Sequence, residues 1–329
     1  MKSIRIFILC CVISIVMLAM GQALAEAPTT AKIVFSSSLN VKAKGGSDIY
    51  VMNPDGTERV NLTRHNAKDS EPTWSPSGRH ILFTSDRDGD SDIYRMNADG
   101  TNVRRIFKKW ANRSNPTWSP DGRQIAYFRG DEEAIYIASI DGANEKLLVK
   151  GWHPTWSPDG TEIAFVSLAG SLDIRVIDLK TRLERVLVPM EQALLHEPVW
   201  SPDGTKIAFN RINFLLFILK VLFNAKDNMP AQTIDTVNSD GTEIEAIVVD
   251  GSQVSDPAWS PQSDALIYSQ LSGKERHLFK ISLGSRVSEQ ITQAGSNYSS
   301  DWFDPAVLSV VPRLDSHLTT WSKIKTKTN

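Results

Sequence analysis

The chain of 329 residues has two cysteines, Cys10 and Cys11, and both stand within its first twenty positions. Beyond them it has none, so the body of the protein forms no disulfide, offers no thiolate to a metal and carries no cysteine nucleophile. An excess of one charge is lacking as well. The 36 basic and 38 acidic residues give a net charge of −2, which argues against a surface built for phosphate and removes nucleic acid from the expected partners. Helical periodicity is missing from the body of the chain. Catalytic signatures are missing too. There is no G-x-S-x-G elbow and no H-E-x-x-H helix, and the six histidines (His65, His80, His153, His196, His277, His317) show no close pairing in sequence. Serine and zinc hydrolysis are therefore not expected.

What is present begins with an address. Lys2 and Arg5 precede an apolar stretch from Ile6 to Met20, and Ala23 and Ala25 supply small residues at −3 and −1 of a cut. Residues 1–25 read as a secretory signal peptide. A retained anchor is the alternative, disfavoured because a membrane span needs about 20 apolar residues. The expected location is the periplasm or the exterior. Two of the 36 basic residues and none of the acidic ones leave with that segment, so the mature chain is the more acidic.

The body repeats one phrase five times: "EPTWSPSGRHILF" (71–83), "NPTWSPDGRQIAYF" (115–128), "HPTWSPDGTEIAF" (153–165), "EPVWSPDGTKIAF" (197–209) and "DPAWSPQSDALIY" (256–268). Aligned on the aromatic residue, the positions are Trp74, Trp118, Trp156, Trp200, Trp259 and, by a looser match in "DWFDP", Phe303, at intervals of 44, 38, 44, 59 and 44 residues. A period of about 40–45 residues with strand-like patterning is the signature of a propeller of four-stranded blades. In "SPDG" proline presets φ, aspartate bonds its own backbone and glycine accepts a positive φ, which makes a turn. The runs after it, such as "RQIAYF", alternate as half-buried strands, and "DIYVMN" and "DIYRMN" supply third strands. The repeated aromatics are expected as apolar plates between neighbouring sheets.

One blade cannot bury both of its faces, so the unit is repeated until a ring closes. The first unit, beginning at "KIVFSSSLN", lacks the strand that carries "WSP", and the last, "SDWFDPAVLSVV", supplies only that strand. The expected architecture is all-β: a six-bladed propeller of four-stranded antiparallel blades, closed by a blade shared between the two ends. Its expected bounds are a linker at 26–31, a propeller at 32–312 with an insertion at 212–230, and a tail at 313–329.

The order P-x-W-S-P-D-G-x-x-I-A-F followed by D-I-Y-x-M-N-x-D-G resembles the TolB-type propeller repeat, a relative of the WD-type repeat, over residues 32–305. The resemblance implies an exported bacterial propeller that binds a protein on its ring. TolB-type chains carry an α/β domain before the propeller, whereas only Glu26 to Ala31 precede the first strand here, so a stand-alone TolB-like propeller is expected. Similar propellers cover the active site of prolyl oligopeptidases, but no residues remain for the hydrolase domain. Sialidase-like propellers carry S-x-D-x-G-x-T-W with the aromatic after the turn, the reverse of the order here.

The most informative candidates come from the repeat itself. The residue before each Pro-x-aromatic segment is Glu71, Asn115, His153, Glu197, Asp256 and, by the looser alignment, Ser300. In a closed ring these six would encircle one mouth of the channel, polar and acidic, suited to a cation, a sugar or a basic segment of a partner. Ordered water lining the channel is the plainer alternative. "SDRDGDSDIY" alternates Asp86, Asp88, Asp90 and Asp92 as calcium loops do, but lacks their closing glutamate, and a polar hairpin is the preferred reading. No cofactor is expected beyond a calcium or other divalent cation as an outside case. The apolar core of the insertion, Phe214 to Phe223, is too short for a bilayer span and is expected to fold onto its blade or dock a partner. The tail spaces Leu314, Leu318, Trp321 and Ile324 on one helical stripe, for which a frayed end is the preferred reading over a partner contact.

Two functions from different classes follow. The first is an exported non-enzymatic binding or scaffold propeller that recognises a protein or a cell-envelope glycan. The alternative is a polysaccharide lyase or hydrolase with a metal or an acid/base pair at the mouth, His153 acting with Glu71, Glu197 and Asp256. A single histidine in the ring favours binding.

Overall fold

The turns decide where the strands begin. In the computed structural model, which describes residues 25–39, 46–191, 193–213, 232–248 and 253–308, each "SPDG" closes in the same way. Ser119 Oγ donates to Asp121 Oδ1 at 2.6 Å, Gly122 takes φ 68°, and Gln124 N donates to Ser119 Oγ at 2.9 Å. Ser157 with Asp159 and Ser201 with Asp203 repeat the contact at 2.6 Å. The serine and aspartate of the motif thus satisfy the turn's own backbone, and the chain re-enters a strand in a fixed register.

The described residues form twenty-three strands. In order they are β1 (Lys32–Ser37), β2 (Asp48–Met52), β3 (Val60–Asn61), β4 (Asp69–Trp74), β5 (His80–Ser85), β6 (Asp92–Asn97) and β7 (Arg104–Arg105). Next come β8 (Arg113–Trp118), β9 (Gln124–Arg129), β10 (Ala134–Ser139), β11 (Lys146–Trp156), β12 (Glu162–Ser167), β13 (Ile174–Asp178) and β14 (Glu184–Val188). The last are β15 (Ala193–Trp200), β16 (Lys206–Asn213), β17 (Gln232–Asn238), β18 (Glu245–Val248), β19 (Val254–Trp259), β20 (Ala265–Ser272), β21 (Glu275–Ser282), β22 (Ser288–Gln290) and β23 (Asn297–Phe303). A four-residue helix, Pro305–Leu308, follows. Of the sequence expectations, the signal peptide up to residue 24, the insertion from 214 onward and the tail at 313–329 lie outside the described residues. Among the described residues no helix is long and apolar enough to cross a membrane.

The strands form antiparallel sheets, four of them four-stranded: β23-β1-β2-β3, β4-β5-β6-β7, β15-β16-β17-β18 and β19-β20-β21-β22. The first joins the two ends of the chain, with Ile33 opposite Trp302 and Ser37 opposite Asn297. The remaining sheet has seven strands, β14-β13-β12-β11-β10-β9-β8, where two separate sheets were expected. The cause is β11. Its first half pairs with β10 (Lys150 opposite Ala134) and its second half with β12 (Gly151 opposite Ser167). The short interval of 38 residues between Trp118 and Trp156 leaves no linker, so one strand runs from an outer position into the next inner one. At the changeover, a Cβ on Gly151 would sit 2.6 Å from the Phe165 ring and from Val166 O.

The core is divided among the spaces between sheets rather than gathered at one centre. Trp74, Trp118, Trp156, Trp200 and Trp259 are each 5–7 % exposed and each lies in its own apolar cluster. Trp118, for example, packs with Leu82 and Ile93 of one sheet and Ile125 and Tyr127 of the next, and Trp259 Nε1 donates to Val199 O of the neighbouring inner strand at 3.0 Å. The six inner strands contact one another in the order β4, β8, β11, β15, β19 and β23, and β23 contacts β4.

Candidate functional site

Each inner strand loses register at the same place. The breaks fall between Ser70 and Thr73, Ser114 and Thr117, Trp152 and Thr155, His196 and Val199, and Ser255 and Ala258. On β1, opposite β23, the break falls between Val34 and Ser36. These are β-bulges, and five of them hold proline as the second bulged residue, where the interrupted ladder requires no N–H. The first bulged residue is left-handed in every case: Glu71 (φ 55°), Asn115 (51°), His153 (49°), Glu197 (54°), Asp256 (55°) and Ser299 (43°). Six non-glycine residues at positive φ on one ring are strained positions that the surrounding sheet imposes.

The bulges bring the expected ring residues together. Glu71, Asn115, His153, Glu197, Asp256 and Ser299 line one open funnel of about 160 Å³, with the residue that follows each of them. The sixth place differs by one residue from the looser alignment. Ser299 occupies the bulge, and Ser300, expected there, takes the place that proline holds in the other units. The same offset puts Trp302, opposite Ile33, at the position of Trp74, opposite Ile81. Phe303 is nevertheless the aromatic that is buried, 5.6 Å from the ring of Trp74.

The ring side chains hold one another's backbones. Glu71 Oε2 accepts from Asn115 N at 2.7 Å and from Thr84 Oγ1 at 2.7 Å. His153 Nδ1 accepts from Glu197 N at 3.3 Å, and Glu197 Oε2 accepts from Asp256 N at 2.7 Å. Asp256 Oδ1 then accepts from Ser299 Oγ at 2.9 Å. Each of these side chains satisfies a group on the next inner strand, so they act as latches between neighbours. Asp301, which the sequence reading passed over, does the same between the last inner strand and the first: its Oδ2 accepts from Thr73 Oγ1 at 2.9 Å and Trp74 N at 2.7 Å. Its only signal in the sequence is a carboxylate where the other units have Thr, Val or Ala.

Burial sets the electrostatics. It raises the Glu71 carboxyl above its ordinary range and, with help from the Asp256 charge, pushes Glu197 up to about 8. Desolvation lowers His153 to about 4, aided by His196. The imidazole is therefore neutral near pH 7, and the bond accepted at Nδ1 leaves its proton on Nε2. At both glutamates desolvation is the larger cause and neighbouring charge the smaller. Two histidines far apart in sequence come together in space. His153 and His196, on neighbouring inner strands, have ring centroids 6.3 Å apart, and Trp152 lies 5.7 Å from one and 5.9 Å from the other.

The aspartates of "SDRDGDSD" do not converge. Asp92 is buried against Arg113, Asp88 accepts from Tyr94 Oη and Asp86 accepts from Lys68 N. Among the described residues no three His, Cys, Asp or Glu side chains stand close enough to share a metal ion.

Sheets arranged around a common funnel define the class: a β-propeller. The family described as the TolB beta propeller domain matches residues 16–153. No curated protein matches by sequence. Among solved structures, TolB from Acinetobacter baumannii is 18 % identical over 86 % of this chain and 70 % of that one, with a TM-score of 0.69. A putative TolB from Agrobacterium tumefaciens is also 18 % identical, over 83 % and 92 %, with a TM-score of 0.63. A chain of a nidogen/laminin complex, 10 % identical over 83 % and 98 %, reaches 0.63 as well. The chain has a β-propeller fold similar to that of TolB.

Proposed function

We propose that this chain is an exported, non-enzymatic binding propeller of six blades that recognises a basic segment of a partner protein at the channel mouth. Counting β11 once in each of the two sheets it joins gives six blades of four strands. Contact of β23 with both β19 and β4 supports a closed ring, and the pairing of β1 with β23 supports the shared blade. The observation that carries the function is the use of the carboxylates. Glu71 and Glu197 each spend one oxygen on a latch, while the other has no hydrogen-bond partner among the described residues and lies at the funnel. Two such carboxyls beside Asp256, in a funnel also lined by His153 and the bulge prolines, fit an arginine or lysine side chain, whose charge the carboxyls accept and whose stem the prolines cover. The resemblance of the ring to a chain crystallised in a nidogen/laminin complex is in keeping with a protein partner.

A second reading has one observation in its favour. A carboxyl raised to about 8, as in Glu197, suits a general acid near neutral pH, so a polysaccharide-cleaving propeller is the alternative. The experiment is binding of a fluorescent oligoarginine peptide to the mature protein and to the Glu71→Gln, Glu197→Gln, Asp256→Asn triple variant. Affinity falls at least tenfold, a loss of at least about 1.4 kcal/mol, with melting unchanged or higher. Unchanged affinity removes the site from the mouth, and release of unsaturated or reducing ends from uronate polysaccharides by the wild type alone favours the alternative.

A further inference from the structure

Four blades carry the same pair of rings. On the second and third strands, Phe35 faces Tyr50, Phe83 faces Tyr94, Tyr127 faces Tyr136 and Tyr268 faces Phe279. The centroids of these pairs lie 5.8, 5.8, 6.2 and 5.8 Å apart. In three of them a guanidinium covers the outer ring: Arg59 lies 5.7 Å from Tyr50, Arg87 5.0 Å from Tyr94 and Arg129 5.1 Å from Tyr136. In the β15–β18 blade the register places Phe209 opposite Asp235, and the outer ring is missing. The covering cation is still there. Arg211 stands two residues beyond Phe209, as Arg129 stands two beyond Tyr127, and lies 5.8 Å from the Phe209 ring.

Where the ring would be, a cavity of about 540 Å³ opens between this blade and the end of β14. Val188, Leu195 and Ala246 are among its apolar walls, and Glu191, Arg211, Asn213, Thr233 and Asp235 are its polar lining. The Asp235 side chain is 2 % exposed. One of its oxygens accepts from Thr233 Oγ1 at 2.6 Å and the other lies 3.2 Å from Arg211 Nε. The terminal nitrogens of Arg211 make no hydrogen bond to a described residue, and its side chain is 37 % exposed. Burial raises the Asp235 carboxyl above its ordinary range.

We propose that this cavity binds a phenolic ring, which takes the place the repeat leaves vacant: the ring lies between the apolar walls and Arg211, and the hydroxyl bonds Asp235. A guanidinium over a ring face and a hydroxyl on a buried carboxylate are each favourable contacts, and together they require both an aromatic and a polar end. The volume exceeds one ring and accommodates a short attached chain, within the range of small-molecule sites. A tyrosine side chain of a peptide and a free phenolic molecule share this chemistry. Residues 214–231, which join the two strands at the rim of the cavity, are the rival occupant; they contain phenylalanine but no tyrosine. The inference does not depend on the function of the channel mouth.

The test is ligand-observed NMR on the full mature chain with p-cresol, toluene and N-acetyltyrosinamide as probes. Binding of p-cresol at least tenfold tighter than toluene is expected. Asp235→Tyr, which restores the ring of the repeat, abolishes it, and Arg211→Gln weakens it several-fold. Should Asp235→Tyr fail to fold, Asp235→Asn keeps the size and removes the charge, and the preference for p-cresol over toluene falls. N-acetyltyrosinamide binding tighter than p-cresol assigns a peptide source, and the reverse a free phenol. Equal binding of p-cresol to the wild type and Asp235→Tyr overturns the proposal. So does binding that appears only when residues 214–228 are replaced by a short glycine-containing turn, because the insertion then fills the cavity.

Discussion

Replacing Glu197 by glutamine separates the latch from the charge. The amide oxygen can still accept the Asp256 N–H now held at 2.7 Å, so the shape of the mouth is kept. The charge is what changes. In the unfolded chain a glutamate ionises near pH 4.3, whereas the folded protein holds this proton to about 8 because the carboxyl is buried and faces Asp256. Between those values the unfolded chain binds fewer protons than the folded one, so stability is complete below about pH 4 and falls as pH rises toward 8. Each pH unit in the window costs up to about 1.4 kcal/mol, and the loss is complete at roughly 3–5 kcal/mol. Glu197→Gln removes this dependence. The assay is urea unfolding of wild type and variant at pH 5, 6, 7 and 8, with the difference in free energy plotted against pH. That difference should grow in favour of the variant by roughly 1 kcal/mol per pH unit. Glu71, also raised, adds a slope common to both proteins and cancels in the difference. A difference that stays constant with pH would refute the buried, neutral Glu197, and a variant less stable at every pH would show that the ionised carboxylate is the latch.

Two further perturbations test the ring. A chain ending at Ser296 loses β23, leaving the edge of β1 unpaired and Thr73 and Trp74 without Asp301; it should be insoluble or melt broadly by circular dichroism, while a chain ending at Pro312 melts like the full mature protein. Equal melting of the two would refute the shared blade. Arg113→Ala strands Asp92, whose side chain is fully buried and 3.2 Å from the guanidinium, and should cost roughly 3–5 kcal/mol in urea unfolding; a loss below about 1 kcal/mol would refute a structural role for the pair.

The repeated phrase by itself determined the all-β propeller, the turns and the position of the mouth. Ser-Pro-Asp-Gly contains its own hydrogen-bond partners, and the tryptophan three residues before the aspartate needs an apolar partner that only a neighbouring sheet supplies. These are local demands, and a local pattern states them fully. It also singled out Glu71, Asn115, His153, Glu197 and Asp256, because each precedes the proline that the bulge accepts. Where the proline is absent, in "YSSDWF", the alignment slipped by one and chose Ser300 over Ser299; only the pairing of β23 with β1 decides that register. Nor does the sequence show that β11 serves two sheets, because a shortened interval reads equally well as a shorter loop. Charge was decided by tertiary structure throughout. Burial by neighbouring blades is the larger cause of the raised carboxyls, and the same packing brings together His153 and His196 from separate repeats. Most of all, the vacancy opposite Phe209 is invisible along the chain: an aspartate in a third strand is an ordinary residue until the sheet places it where four other blades hold a ring.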